Sequence, residues 1–112
     1  MHYLLTYEKV ADYAEWQQPF SEAHLAHVLA AVERGEALLG GPLGDPIDGT
    51  NVLLFQADSA ATVEAFATAD PYVQNGVVSK WWVRTWETVV GPLAVHPLAK
   101  KKIAPGGQPG AM

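Results

Sequence analysis

The chain has 112 residues, 49% of them apolar, no cysteine and a formal net charge of −5. That length suits one small domain with a thin core, the kind that often completes its burial against a copy of itself. The absence of cysteine excludes a disulfide scaffold, a thiolate zinc site and a thiol nucleophile, and the negative charge argues against nucleic acid as a partner.

In chain order, His2 to Glu8 (HYLLTYE) is short and rich in Tyr and Leu, which suits a buried strand. Lys9 to Pro19 reads as a loop with at most one helical turn. Ser21 is a plausible N-cap for a helix in which Leu25, Val28, Leu29 and Val32 recur at i, i+3, i+4, i+7. Arg34 falls in its last turn and Gly35 ends it. Glu36 to Leu43 (EALLGGPL) reads as a strand running into a Gly-Gly-Pro break, and residues 44–50 (GDPIDGT) as a loop dense in turn formers. Asn51 to Ala57 is a third strand. Asp58 and Ser59 compete to cap a second helix, whose apolar positions are Val63, Phe66 and Ala67. Asp70-Pro71 stops that helix, because a residue before proline is pushed out of the helical region. A short helical turn (PYVQNG) follows, then a fourth strand from Ser79 to Val89.

Strand, helix, strand, strand, helix, strand is the βαββαβ order of ferredoxin-like α+β domains. Two helices then cover one face of a four-stranded antiparallel sheet, and the chain has no third layer for the other face. In the fourth strand, Trp81, Val83, Thr85 and Glu87 share one parity, while Lys80, Trp82, Arg84 and Trp86 share the other. Either way, an aromatic surface is left uncovered, so a homodimer packed sheet against sheet is expected. The domain is expected to span residues 1–91. Residues 92–112, with Lys100-Lys101-Lys102 in a Gly/Pro-rich stretch, are expected to form an arm or a disordered tail. No charged-then-apolar leader opens the chain and no run approaches the ~18 apolar residues of a membrane span. A soluble cytoplasmic protein with no membrane or nucleic-acid partner is therefore expected.

Two histidines, His24 and His27, lie in the first helix. On a wheel of about 100° per residue, the apolar stripe centres near Leu25. His24 then falls at its edge, half-buried where a pocket would open, and His27 falls nearly opposite, facing water. Two histidines need a third convergent ligand to hold a metal. His2 and His96 belong to no motif with them, so no metal site is expected. Asp70 ends the second apolar stripe at a helix C-terminus, where the dipole disfavours a carboxylate. It is expected to cap the following turn, with Pro71 at the first helical position. Its remaining acceptor sites are open to a histidine, whose tautomer and basicity a carboxylate controls. Tyr72, Trp82, Arg84 and Trp86 are candidate pocket walls, Arg84 for an anionic or planar ligand. Gly41 allows close backbone approach.

Three stretches together, AHLAHVLAAVERGEALLGGPL, VLLFQADSAATVEAFATADPYVQNGVV and WVRTW, resemble the YciI-like (YCII-related) family over about residues 1–90. The resemblance implies a ferredoxin-like fold that dimerises into a dimeric α/β barrel. It also implies an active site built on a His–Asp pair, here His24 and Asp70 by matching motif. Some members of the family are linked to breakdown of aromatic compounds, with elimination or dehydrochlorination-type chemistry on small ring substrates. Two positions depart from the pattern: Ser21 stands where many relatives carry arginine, and Thr85 where many carry proline.

The function expected is that of a small lyase or isomerase without a cofactor. It would act on a small aromatic-derived or acidic substrate held in a cleft. His24 would be the general base or acid, oriented by Asp70, with Arg84 or backbone near Gly41 stabilising developing charge. The alternative is a dimer that binds a small molecule without turning it over. A third reading, by fold analogy, is a haem-linked oxidoreductase with His24 or His27 as axial ligand.

Overall fold

The computed structural model describes residues 1–98. The elements are β1 (His2–Lys9), α1 (Tyr13–Trp16), a 3₁₀ turn (Gln18–Phe20), α2 (Ser21–Glu33), β2 (Ala37–Gly44), β3 (Ile47–Gln56), α3 (Ala60–Ala69), α4 (Pro71–Gln74) and β4 (Val78–Trp86). The strands form one sheet in the order β2-β3-β1-β4, antiparallel throughout. This is the ferredoxin-like α+β arrangement, with α1 and α4 as additions at the two ends of the longer helices.

The strand period of two assigns every β1 side chain to a face. Tyr3, Leu5 and Tyr7 point to the helices, across from Phe55 and Leu53 on β3 and from Val83 and Trp81 on β4. These residues join Ala31 of α2, Val63, Phe66 and Ala67 of α3, and Tyr72 of α4 in one core. Phe55 and Phe66 meet at 4.8 Å between centroids in a tilted pair. The question of which β4 parity faces the helices is thereby answered: Trp81 and Val83 do. Lys80, Trp82, Arg84 and Trp86 share the opposite face with Glu8, Thr6, Leu4 and His2, their direct partners on β1.

Several local expectations change. Ser21 is the first residue of α2, and its hydroxyl donates to the Gln17 carbonyl at 2.9 Å instead of capping the helix. Between β2 and β3 there is a tight hairpin: β2 continues through the Gly-Gly-Pro stretch, and Gly44 pairs with Ile47. Gly44 has φ +97°, and a Cβ there would meet the Pro46 carbonyl oxygen at 2.7 Å, so the turn requires glycine. Ser59, extended, occupies the N-cap of α3 without a side-chain bond.

The largest correction concerns α2. The stripe expected to face the core is largely outside it: Leu25 is 55% and Leu29 52% exposed, while Ala31 is fully buried. The sequence supplies the reason. Opposite Leu25, Val28 and Val32, β2 carries Gly40 and Gly41, which have no side chains to fill the space. A groove of about 310 Å³ therefore remains between α2 and the β2–β3 edge. His27, expected to face water, turns inward, stacks on Phe66 at 4.4 Å between centroids and donates Nε2–H to the Phe66 carbonyl at 2.8 Å.

Beyond β4, Val95 N–H donates to Thr88 Oγ1 at 2.9 Å and Leu98 N–H to the Val89 carbonyl at 2.9 Å, so residues 92–98 fold back on the end of the domain. The three-lysine stretch lies outside the described residues. Among the described residues, no helix is long and apolar enough to cross a membrane.

Candidate active site

The α3–α4 junction places the carboxylate. Asp70 ends α3 with φ −68° and ψ 125°, an extended conformation that the following proline favours. Its side chain turns back as the N-cap of α4, accepting from Tyr72 N–H at 2.9 Å. The same carboxylate meets His24 of α2: Nδ1 lies 2.8 Å from Oδ1 and 3.0 Å from Oδ2. A third donor comes from the middle of the sheet, where the Tyr7 hydroxyl donates to Oδ2 at 2.8 Å. Asp70 is fully buried, and three converging donors are what such a burial requires.

The carboxylate only accepts, so His24 Nδ1 carries the proton and Nε2 is the unprotonated nitrogen of the neutral ring. Among the described residues nothing hydrogen-bonds Nε2. The His24 side chain is 22% exposed and forms part of the wall of the 310 Å³ groove. Its ring is fixed further by Tyr72, which stacks on it at 3.8 Å between centroids and 6° between planes. The Tyr72 hydroxyl lies 2.8 Å from Ser21 Oγ. Ser21 has already committed its proton to the Gln17 carbonyl, so Tyr72 donates to Ser21. An imidazole held by carboxylate on one edge and phenol on one face, with its other nitrogen free beside a cavity, can take a proton from a bound molecule and return it.

Burial drives the Tyr7 phenol far above its ordinary pKa, and the neighbouring Asp70 charge raises it further. Tyr7 therefore acts as a donor, not as an acid. Lys9, the next β1 residue on that face, donates to Gln17 Oε1 at 2.9 Å and lies 5.0 Å from the centroids of both Tyr13 and Tyr72. Burial pushes its ammonium group down, with Asp70 pulling the other way.

The structure thus brings His24, Asp70 and Tyr72 together and sets Gly41 in the wall of the His24 groove. It does not bring Trp82, Arg84 and Trp86 there. They lie on the far face of the sheet, where Arg84 and Trp86 border a separate hollow with Leu4 and Thr85. β-strand parity separates them: Val83, between Trp82 and Arg84, is the residue that points to the helices. Within this chain, Arg84 is not placed to stabilise charge at His24. Tyr7 and Lys9 were not expected at the site. The available signal was Tyr7's parity with Tyr3 and Leu5, since a tyrosine buried in a core needs a partner for its hydroxyl. Among the described residues, no three His, Asp or Glu side chains cluster as metal ligands would.

A small ferredoxin-like protein whose helices hold a histidine–carboxylate pair beside an apolar groove is the class this geometry defines. The YCII-related domain model matches residues 1–87, and the chain belongs to that family. One similar solved structure is 5-chloro-2-hydroxyhydroquinone dehydrochlorinase (TftG) from Burkholderia phenoliruptrix, in complex with 2,5-dihydroxybenzoquinone. It is 21% identical, with a TM-score of 0.67, over 79% of this chain and 95% of that one. Another is protein Atu4242 from Agrobacterium tumefaciens, 13% identical with a TM-score of 0.53, over 85% of this chain and 98% of that one. No curated protein matches the chain.

Proposed function

We propose that the chain is a small lyase that removes a proton and a leaving group from a ring-sized substrate, with His24 as general base and then acid and Asp70 as its orienting partner. The observation that carries this reading is the bond from His24 Nδ1–H to a fully buried carboxylate, which leaves Nε2 free beside a groove. The likeness to a dehydrochlorinase adds to it. In such an elimination Nε2 takes a proton from one substrate hydroxyl and returns it to the ring carbon that carries the halogen, giving a keto tautomer with a tetrahedral carbon–halogen bond. Loss of a second hydroxyl proton to Nε2 then drives its electron pair into the ring system and the halide out as an anion. Proton and halide together account for the hydrogen chloride lost, and the step needs no oxidant and no cofactor. General acid–base help of this kind contributes roughly 10²–10⁴-fold.

The uncovered sheet face supports a second part of the proposal: two copies pair through Leu4, Trp82, Arg84 and Trp86. Trp86 is 47% exposed in the single chain, and exposed aromatic surface of this kind favours a partner.

The test is chloride release from 5-chloro-2-hydroxyhydroquinone and related halogenated hydroxyarenes, with the wild type, His24→Ala and Asp70→Asn. Turnover should fall by roughly 10²–10⁴-fold in His24→Ala. Equal chloride release by wild type and His24→Ala would reject the mechanism. Binding without release from every ring offered would leave a non-catalytic binding protein.

A further inference from the structure

We infer that the groove beside His24 selects uncharged, ring-sized molecules and disfavours anions. The inference rests on reading this groove as the place where the ligand sits. Its walls are Leu25, Val28 and Val32 from α2, Leu39 from β2 and Leu53 from β3, with His24 as the only side chain of the lining that can ionise. A volume of about 310 Å³ accommodates a substituted six-membered ring.

None of the described lysines and arginines lines the groove. Lys9 is held by Gln17 and lies over the Tyr13 and Tyr72 rings. Arg34 pairs with Glu36 at 2.9 Å. Lys80 lies over Trp82, and Arg84 faces away, both on the other side of the sheet. Behind His24 stands the Asp70 carboxylate, and the chain as a whole carries a net charge of −5. An anion entering the groove would lose water, gain no lysine or arginine among the described lining residues and approach the Asp70 charge behind His24. A neutral ring would gain apolar contact with the leucines and offer one polar hydrogen to Nε2. Gly40 helps to keep the floor low: a Cβ there would meet Leu53 Cγ at 2.9 Å.

Benzamide and benzoate test this, because they match in shape and differ in charge. Each is titrated into the full chain near neutral pH and followed by backbone amide NMR shifts. Benzamide should move the signals of α2 and β2, and benzoate should bind at least about tenfold more weakly. Leu25→Arg, at a position 55% exposed, should reverse that order, with Leu39→Arg, 59% exposed, as a second variant. Benzoate binding as tightly as benzamide, benzoate shifts centred on Leu4 and Trp86, or no groove response to millimolar benzamide would each overturn the inference. Its failure is distinct from failure of the catalytic reading. A preference for benzamide in a protein that turns over no ring substrate removes the catalysis and keeps the selectivity. A preference for benzoate with His24-dependent turnover does the opposite.

Discussion

The Tyr7 hydroxyl and the Asp70 carboxylate meet at 2.8 Å in the interior, joining the central strand to the turn between two helices. Asp70 receives Tyr7 on Oδ2, while His24 and the Tyr72 amide approach Oδ1. One buried carboxylate therefore ties together β1, α2 and α4.

Asp70 should accordingly matter to stability as well as to chemistry. Asp70→Ala leaves the Tyr7 hydroxyl and the Tyr72 amide without an acceptor and should cost about 3–5 kcal/mol. Asp70→Asn retains one acceptor oxygen but aims an NH₂ group at a donor, and should cost about 1–3 kcal/mol. Urea unfolding of the two variants, read at constant slope, checks the order.

Tyr7→Phe should cost about 1 kcal/mol near neutral pH, as one hydrogen bond is lost. Its clearer signature is alkaline. Tyr7's folded pKa lies above its unfolded value, so its contribution is complete below about pH 10 and is lost as pH rises beyond it, where only the unfolded chain ionises. Lys9, lowered on folding, works with the opposite sign, since stability rises as pH climbs from its folded pKa to its unfolded one. The Tyr7→Phe variant should therefore lose less stability above about pH 10 than the wild type. Thermal unfolding across that range, with tyrosinate absorbance recorded alongside, measures the difference.

The two helix histidines should separate cleanly. Against a carboxylate His24 keeps its proton on Nδ1, and against the Phe66 carbonyl His27 keeps its proton on Nε2. His27→Ala removes a stack and a bond, and should cost about 1–2 kcal/mol while leaving turnover per folded molecule unchanged. His24→Ala also removes a stack and a bond, here to a buried carboxylate, and should cost at least as much stability, but it should lower chloride release per folded molecule by roughly 10²–10⁴-fold. Loss of turnover in folded His27→Ala would contradict this division.

If two copies pair through the open sheet face, a charge there should separate them. Trp82→Glu combined with Trp86→Glu should sediment as a monomer where the wild type sediments as a dimer. An unchanged sedimentation coefficient would place any dimer contact elsewhere.

The order of elements was legible because strand and helix periods are local, and the turn formers around residues 44–50 and at Asp70-Pro71 mark where the chain must bend. A wheel put His24 at a boundary, and a carboxylate at a helix C-terminus called for a compensating partner, but it was the resemblance of the AHLAHV and ADPYV stretches to the family that paired His24 with Asp70. The outward turn of Leu25 and Leu29 was not legible from the stripe itself. A wheel states which residues share a face, and what that face meets depends on the side chains opposite, here Gly40 and Gly41. Arg84 was misplaced for a similar reason, since its parity was known but not which parity the helices would cover. Tyr7 was hidden because a tyrosine in an apolar strand reads as core, and its core and polar roles are filled by different ends of the same side chain.

The alternation of β1 has a consequence for the His24–Asp70 pair. Tyr3, Leu5 and Tyr7 point one way and His2, Leu4 and Thr6 the other, and β1 pairs on both edges, with β3 and β4. A slip of one residue would exchange the two sets, withdrawing the phenol from Asp70 in the same movement that expels the core aromatics. A misregistered chain would thus lack one of the three donors that hold the Asp70 carboxylate against His24. The central strand acts as a proofreader, and the Tyr7–Asp70–His24 contacts form together only in molecules that have paired their sheet correctly.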